Sequence, residues 1–536
     1  MKLPSIFKYC ALSVAMAVAP VVPLQAATPA DQLVVGMSMD NLLALDPASA
    51  TGLDVVGVNA NMYDMLVELD PKDPSKVMPA VAKSWSISDD GRTITFDLRD
   101  DVSFHSGNKL TAHDMAWSLQ RVMKLNLALA STWKTYGFSA DNAEANFKAL
   151  NDTTFELTLP VETDPMLVVY TLGSSPSAFI VDSKLVLEHE KDGDLGHNWL
   201  KTTVAGSGPF KLKDWRAKDR ILMTRNDDYW RAPSDMKRVV MRHMNESQSL
   251  RLMIERGDID VASGMSVPDI EALKKNDEVR AEADLRGTIY YVAVSMKDDK
   301  FSNKLVRQAI RNLIDYQGIN DTVMPNYGIL HQRPVKLGLP ATLPEPGYAL
   351  NVEKAKDLLA QAGYPNGFKT NIRVLSKLPF INIATSLQAT LAQAGIEAEI
   401  ITGTGNQVYG AMRERKFEMI VGRGGGGIEP HPHSSLRSLV YNPNNADEAK
   451  LTNFQGWRTS FQSEKMNSLI EQALLEKDAD KQIKLYQQVQ ETFHDEVGAI
   501  FPVSQMVNTV MVRKDVDGYV GHRAATTRLR GVTKQR

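Results

Sequence analysis

Apolar and polar positions along this chain switch between the period of a strand and that of a helix. Gln32-Leu33-Val34-Val35-Gly36-Met37 reads as an opening strand, running into a loop, Asp46-Pro47-Ala48-Ser49-Ala50-Thr51-Gly52, dense in turn-forming residues. From Trp85 to Arg99 two alternating runs flank Asp90-Gly91, which predicts a hairpin because glycine tolerates the positive φ of a tight turn. The clearest pattern lies between Thr370 and Gly427. Asn371 to Leu375 is strand-like, and Ile383, Leu387, Leu391 and Ala394 then recur at helical spacing until Gly395 ends the helix. Ile396 to Ile400 alternates as a strand, and a shorter helical stretch leads to the strand Phe417 to Val421. The order β-α-β-α-β predicts a parallel sheet with crossover helices, hence an α/β fold.

Ligands of open α/β sheets bind beyond the carboxyl ends of the strands. Two segments meet that condition: Ser376-Lys377-Leu378-Pro379-Phe380 after the first strand, and Arg423-Gly424-Gly425-Gly426-Gly427-Ile428-Glu429-Pro430 after the third. Bare glycine amides can approach a ligand closely or cradle an anion. Candidate ligand-binding residues are therefore Lys377, Arg423, Gly424, Gly425, Gly426, Glu429, His431 and Arg437, with Thr51 from the loop after the opening strand.

The N-terminus changes where such a fold is expected to work. Lys2 and Lys8, the apolar run Ala11 to Ala19, and the small residues Ala26 and Ala27 follow the order of a secretory signal peptide, cut after Ala26 or Ala27. Pro20 and Pro23 interrupt the apolar stretch short of the ~20 residues needed to span a bilayer. The single cysteine, Cys10, lies inside this segment and precedes most of its apolar run. The mature chain is thus expected to carry no thiol, no disulfide and no lipid-anchoring cysteine, and to diffuse freely in a periplasm.

Cleavage removes two of 61 basic residues against 64 acidic ones, leaving a net charge near −5, which argues against nucleic acid as a partner. More than 500 residues exceed one ordinary core, so two or three domains are expected. No later stretch reads as a membrane span.

The spacings that catalysis requires are missing. His189-Glu190-Lys191-Asp192-Gly193 begins like a zinc-protease helix, yet glycine stands where the second histidine must share its face. Ser131-Thr132-Trp133-Lys134 has the Ser-x-x-Lys spacing of acyl-serine enzymes without a Lys-Thr-Gly companion. Gly403-Thr404-Gly405 lacks the third glycine of a dinucleotide loop, and there is no Walker-type cradle. Glu429, His431 and His433 could contribute to a metal site, or the histidines could cap backbone groups of a proline-braced loop. No cofactor is predicted, and the protein reads as no enzyme.

Several motifs in order resemble the peptide/nickel/opine-type solute-binding proteins of ABC importers, family 5. The most specific runs from Ser84-Trp85 through Asp89-Asp90-Gly91-Arg92-Thr93 and Phe104-His105-Ser106-Gly107 to Thr111-Ala112-His113-Asp114. Gly206-Ser207-Gly208-Pro209-Phe210, Asn226 to Trp230, Gly257-Asp258-Ile259-Asp260, Val306 to Ile310 and Ala362-Gly363-Tyr364-Pro365 are similar to further family segments. The resemblance implies a two-lobed periplasmic binding protein fold of the class II, cluster C type, with an extra inserted domain and the ligand at the lobe interface. It implies a discontinuous domain I (27–65, 196–285 and 495–536), an inserted domain II (66–195) and a domain III (286–494). It also implies a monomer that delivers a small solute to ABC permease subunits in the inner membrane. A periplasmic chaperone or ligand sensor on the same fold is the alternative, and a secreted hydrolase a third.

In dipeptide-binding members an aspartate grips the ligand's ammonium where Gly426 stands here, and Lys377 takes the place of the arginine that grips the peptide carboxylate. With Arg423 and Arg437 near the same loop, the departure points to an acidic or zwitterionic solute: a modified peptide, an opine, an acidic metabolite or a metal chelate.

Overall fold

The structure, a computed structural model, describes residues 27–40, 42–425, 429–522 and 527–535. The signal-like segment 1–26 and Gly426 lie outside the described residues.

Eleven strands form one continuous mixed sheet. At one end stand the parallel strands Glu397–Gly403, Lys369–Leu375 and Met419–Gly424, joined by the helices Phe380–Gln393 and Gly405–Arg413. The periodicity of the sequence predicts each of these elements. Gly395, at φ +80°, adopts the left-handed conformation just after the first helix, where an L side chain would be strained. At the other end the opening strand Gln32–Met37 lies parallel to Arg238–His243 and Val261–Ser263, with Arg220–Arg225 and Phe210–Arg216 completing the edge.

Two long antiparallel strands, Val279–Val294 and Ile500–Arg513, join these ends. Their pairing slips between Leu285 and Ile289 and again between Tyr290 and Tyr291. The slips coincide with a change of core. On one side Val510 and Val512 pack with Leu33 and Val35, and Met511 and Val279 with Val34 and Ile254. On the other, Ile289 to Val294 and Ile500 to Val503 join the core of the parallel strands, with Ile372, Val374, Leu387 and Val421. The two lobes share one sheet but not one core, and a bulge lets a strand bend and twist locally where they meet.

A separate four-stranded sheet, Ala82–Ile87, Thr93–Leu98, Thr154–Thr158 and Phe147–Asn151, contains the Asp90-Gly91 hairpin and has its own core. The helix Ala112–Leu125 covers the strands Phe147–Asn151 and Thr154–Thr158. Thr111 and Asp114 begin it with a capping box, and Met115, Leu119 and Val122, spaced to share a face, are buried. Burying each such side chain contributes roughly 1.5–3 kcal/mol.

Buried charge ties this unit to its neighbour. Asp46 accepts Arg121 Nη1 and Nη2 at 2.8 Å each and His197 Nδ1 at 2.6 Å, while Arg121 Nε donates to the Leu195 carbonyl at 2.8 Å. Burial pushes the Asp46 carboxyl up, but the hydrogen bonds from His197 and Arg121 outweigh it and hold the pKa at about 2. Glu68 likewise receives Arg231 at 3.0 Å and both terminal nitrogens of Arg530, anchoring the C-terminal segment.

Candidate binding cavity

The strand Met419–Gly424 delivers Arg423, Gly424 and Gly425 at its carboxyl end into a cavity of about 690 Å³. One wall comes from the four-stranded unit, Ser131 to Tyr136 and Leu167; the other comes from the lobe of the parallel strands, with Tyr409, Glu429, His433, Arg437, Phe454, Gln455 and Arg458. Two glycines fit this wall for steric reasons. Gly425 has φ +128°, and a Cβ on Gly424 would stand 2.2 Å from Nε2 of Gln455.

Three guanidiniums face the cavity, and among the described residues none forms an ion pair. Arg423 lies 6.0 Å from the Phe380 ring centre, with Nη1 4.0 Å from the Met506 sulfur. Arg437 lies 5.3 Å over the Phe454 ring, and Arg458 Nε donates to the Thr452 carbonyl at 2.7 Å. Burial lowers the Arg458 pKa, the response of a cation taken from water. Two acceptors are also left over: Gln455 Oε1 and His433 Nδ1 are buried and find no hydrogen-bond partner among the described residues. Burial, then the charge of His431, pushes the His433 imidazolium well below its ordinary pKa, so the ring is neutral at pH 7.

Glu429 is the only carboxylate in the described lining. It is buried, and Tyr136 Oη and Thr171 Oγ1 each reach its Oε1 at 3.4 Å across the boundary between the two walls. Burial raises the Tyr136 pKa far above the ordinary phenol value, and the Glu429 charge adds to it.

Of the predicted site residues, Arg423, Gly424, Gly425, Glu429 and Arg437 thus come together. Gly426 lies outside the described residues. Thr51 is exposed just before the helix Leu53–Asn59 and is not among the lining residues. Lys377 is exposed and also outside the lining, although partial burial and the Arg423 charge lower its pKa. His431 does not line the cavity either. Its Nδ1 accepts the His433 amide at 3.2 Å as the N-cap of the helix Pro432–Leu439, and its Nε2 lies 3.6 Å from Asp164. Among the described residues no group of three His, Cys, Asp or Glu is placed to hold a metal ion.

Sequence reasoning passed over Tyr409, Gln455 and Arg458, which carry no motif, and met Ser131 and Lys134 only as an enzyme-like spacing. Ser131 Oγ donates to the Ala128 carbonyl at 2.7 Å and Lys134 Nζ to Asn126 Oδ1 at 2.6 Å, so they do not form a nucleophile and its base. Trp133 between them is core, with Nε1 donating to Ser177.

Comparison with known proteins agrees with this architecture. The model of the family "Bacterial extracellular solute-binding proteins, family 5 Middle" matches residues 76–447. The Probable D,D-dipeptide-binding periplasmic protein DdpA of Escherichia coli is 27% identical over 513 residues, 92% of each chain. Heme-binding protein A of Haemophilus influenzae is 26% identical over 488 residues, 86% of this chain and 84% of that one. The periplasmic binding protein DppA from Helicobacter pylori, solved in complex with the peptide STSA, superposes with a TM-score of 0.75 at 25% identity, covering 94% of this chain and 98% of that one. The chain belongs to the bacterial extracellular solute-binding proteins of family 5, and it is the solute-binding component of an ABC importer rather than an enzyme.

Proposed function

We propose that this protein captures a small acidic or zwitterionic solute in the cavity between its walls and presents the closed form to the permease. A peptide, an opine, an acidic metabolite or a metal chelate meets that description. The observation that carries the reading is the set of Arg423, Arg437 and Arg458, facing one cavity without a carboxylate partner among the described residues. A desolvated guanidinium is costly unless an anion reaches it, so an incoming acid group supplies what the chain withholds. Because the lining comes from two separately cored units, a ligand touching both favours the closed arrangement.

The ligand residues of this reading are Arg423, Gly424, Gly425, Glu429 and Arg437, joined by Gln455 and Arg458. The division into a discontinuous domain I (27–65, 196–285, 495–536), domain II (66–195) and domain III (286–494) is part of the proposal, and the separate cores on either side of the strand slips support it. So is a monomer exported to the periplasm by cleavage near Ala26 or Ala27; among the described residues no helix is long and apolar enough to cross a membrane.

Native mass spectrometry of protein purified without refolding tests the reading: an acidic or zwitterionic solute should co-purify. Calorimetric titration with unmodified, uncharged-side-chain dipeptides complements it, and micromolar binding by several of them would overturn the acidic assignment.

A further inference from the structure

Charge is unevenly distributed along the cavity. At one end Arg423 and Arg458 flank Tyr409, whose hydroxyl accepts the Arg423 amide at 3.0 Å, and the Tyr409 phenol feels both guanidiniums. No carboxylate of the described lining stands there. At the other end Tyr136 meets Glu429 at 3.4 Å and also feels Arg437, so that this end pairs one acid with one base. Glu429 and Arg437 are nevertheless not in contact as an ion pair, and the Glu429 carboxylate has only two long hydrogen bonds from neutral hydroxyls. A buried carboxylate so weakly satisfied is unstable unless a cation arrives. Residues 426–428 are Gly-Gly-Ile and bring no ionisable side chain to this wall.

Resting on the acidic or zwitterionic reading above, we propose that Glu429 is the residue that reads the solute's ammonium. The solute then carries an amino-acid head group, its ammonium on Glu429 and its carboxylate on Arg437, and a second acid group held by Arg423 and Arg458. The missing acid at position 426 is in this account replaced from three residues further along the chain, by a carboxylate that the fold turns into the same cavity. Gln455 Oε1 and His433 Nδ1, buried without partners, are left to accept N–H or O–H groups between the two charged ends.

Calorimetric titration of the full mature chain with 2-aminopimelate, its N-acetyl derivative and its ω-amide tests the assignment. Wild type is expected to bind 2-aminopimelate and to lose about tenfold or more in affinity on either modification, since each leaves a desolvated charge unpaired. In Glu429→Gln the penalty for N-acetylation should disappear while the penalty for the ω-amide persists; in Arg423→Gln the reverse should hold. This crossed pattern is not produced by a merely structural role. Equal binding of the acetylated and free compounds by wild type would overturn the proposal, as would an acetylation penalty unchanged in Glu429→Gln, or no binding of any of the three. Recovery by native mass spectrometry of an acid without an amine would also overturn it, yet leave the acidic-solute reading standing.

Discussion

Arg121 and Arg437 are two arginines removed from water to opposite ends. Arg121 is spent on the protein itself: Asp46 takes both terminal nitrogens, the Leu195 carbonyl takes Nε, and His197 completes the carboxylate's shell. Arg437 and its neighbours Arg423 and Arg458 have ring faces, a sulfur and a carbonyl, but no acid among the described residues. Where a buried charge is fully answered from within the chain, it fixes how units join. Where it is left unanswered beside a cavity, the chain has set aside stability that a ligand can restore.

The comparison breaks most visibly if one partner of the answered pair is removed. Asp46→Ala leaves Arg121 buried without its acid and should lower the unfolding free energy by about 3–5 kcal/mol, read as a lower urea midpoint. Acid should act on the same pair through protonation. The folded pKa of Asp46, about 2, lies below the unfolded value of 3.8. Its contribution, about 2 kcal/mol, is therefore complete above pH 4 and lost as the pH falls from there towards 2. The acid limb of stability for wild type should be steeper than for Asp46→Asn, and superimposable limbs would show that the pair contributes nothing.

The unanswered arginines should behave in the opposite sense. Arg437→Gln is expected to leave the urea midpoint unchanged or raised, while affinity for the co-purifying solute falls by about tenfold or more. A drop in stability of the size seen for Asp46→Ala would erase the distinction between the two sites. The finest probe is Gly424→Ala: the added methyl must push the Gln455 amide aside, which should weaken solute binding severalfold at a stability cost of about 1 kcal/mol or less.

Much of the framework was legible in one dimension because its causes are local. The strands and helices from Lys369 to Gly424 follow the hydrophobic period, and the turn at Gly91 and the helix end at Gly395 follow from glycine's freedom at positive φ. The rule that ligands meet open sheets at their carboxyl ends led to Arg423, Gly424 and Gly425. The same rule offered Lys377, which stays outside the lining, because the rule names a rim and not which of its side chains faces inward. His431 shows a different limit. A histidine before a proline-led helix can ligate, bind or cap, and only its 3.2 Å contact to the His433 amide selects capping.

The sequence by itself therefore determined the class of the protein: an α/β chain with several cores, the motifs of its family and no catalytic spacing. Local periodicity, turn chemistry and residue order are properties of neighbours along the chain, and they survive without coordinates. Tertiary structure alone decided which charges are answered. Arg121 meets an acid 75 residues away, Glu429 meets a hydroxyl 293 residues away, and Arg437 meets neither kind of partner among the described residues. Whether a charge stabilises the fold or waits for a solute depends on such distant pairings, which are fixed only when separate cores pack against each other.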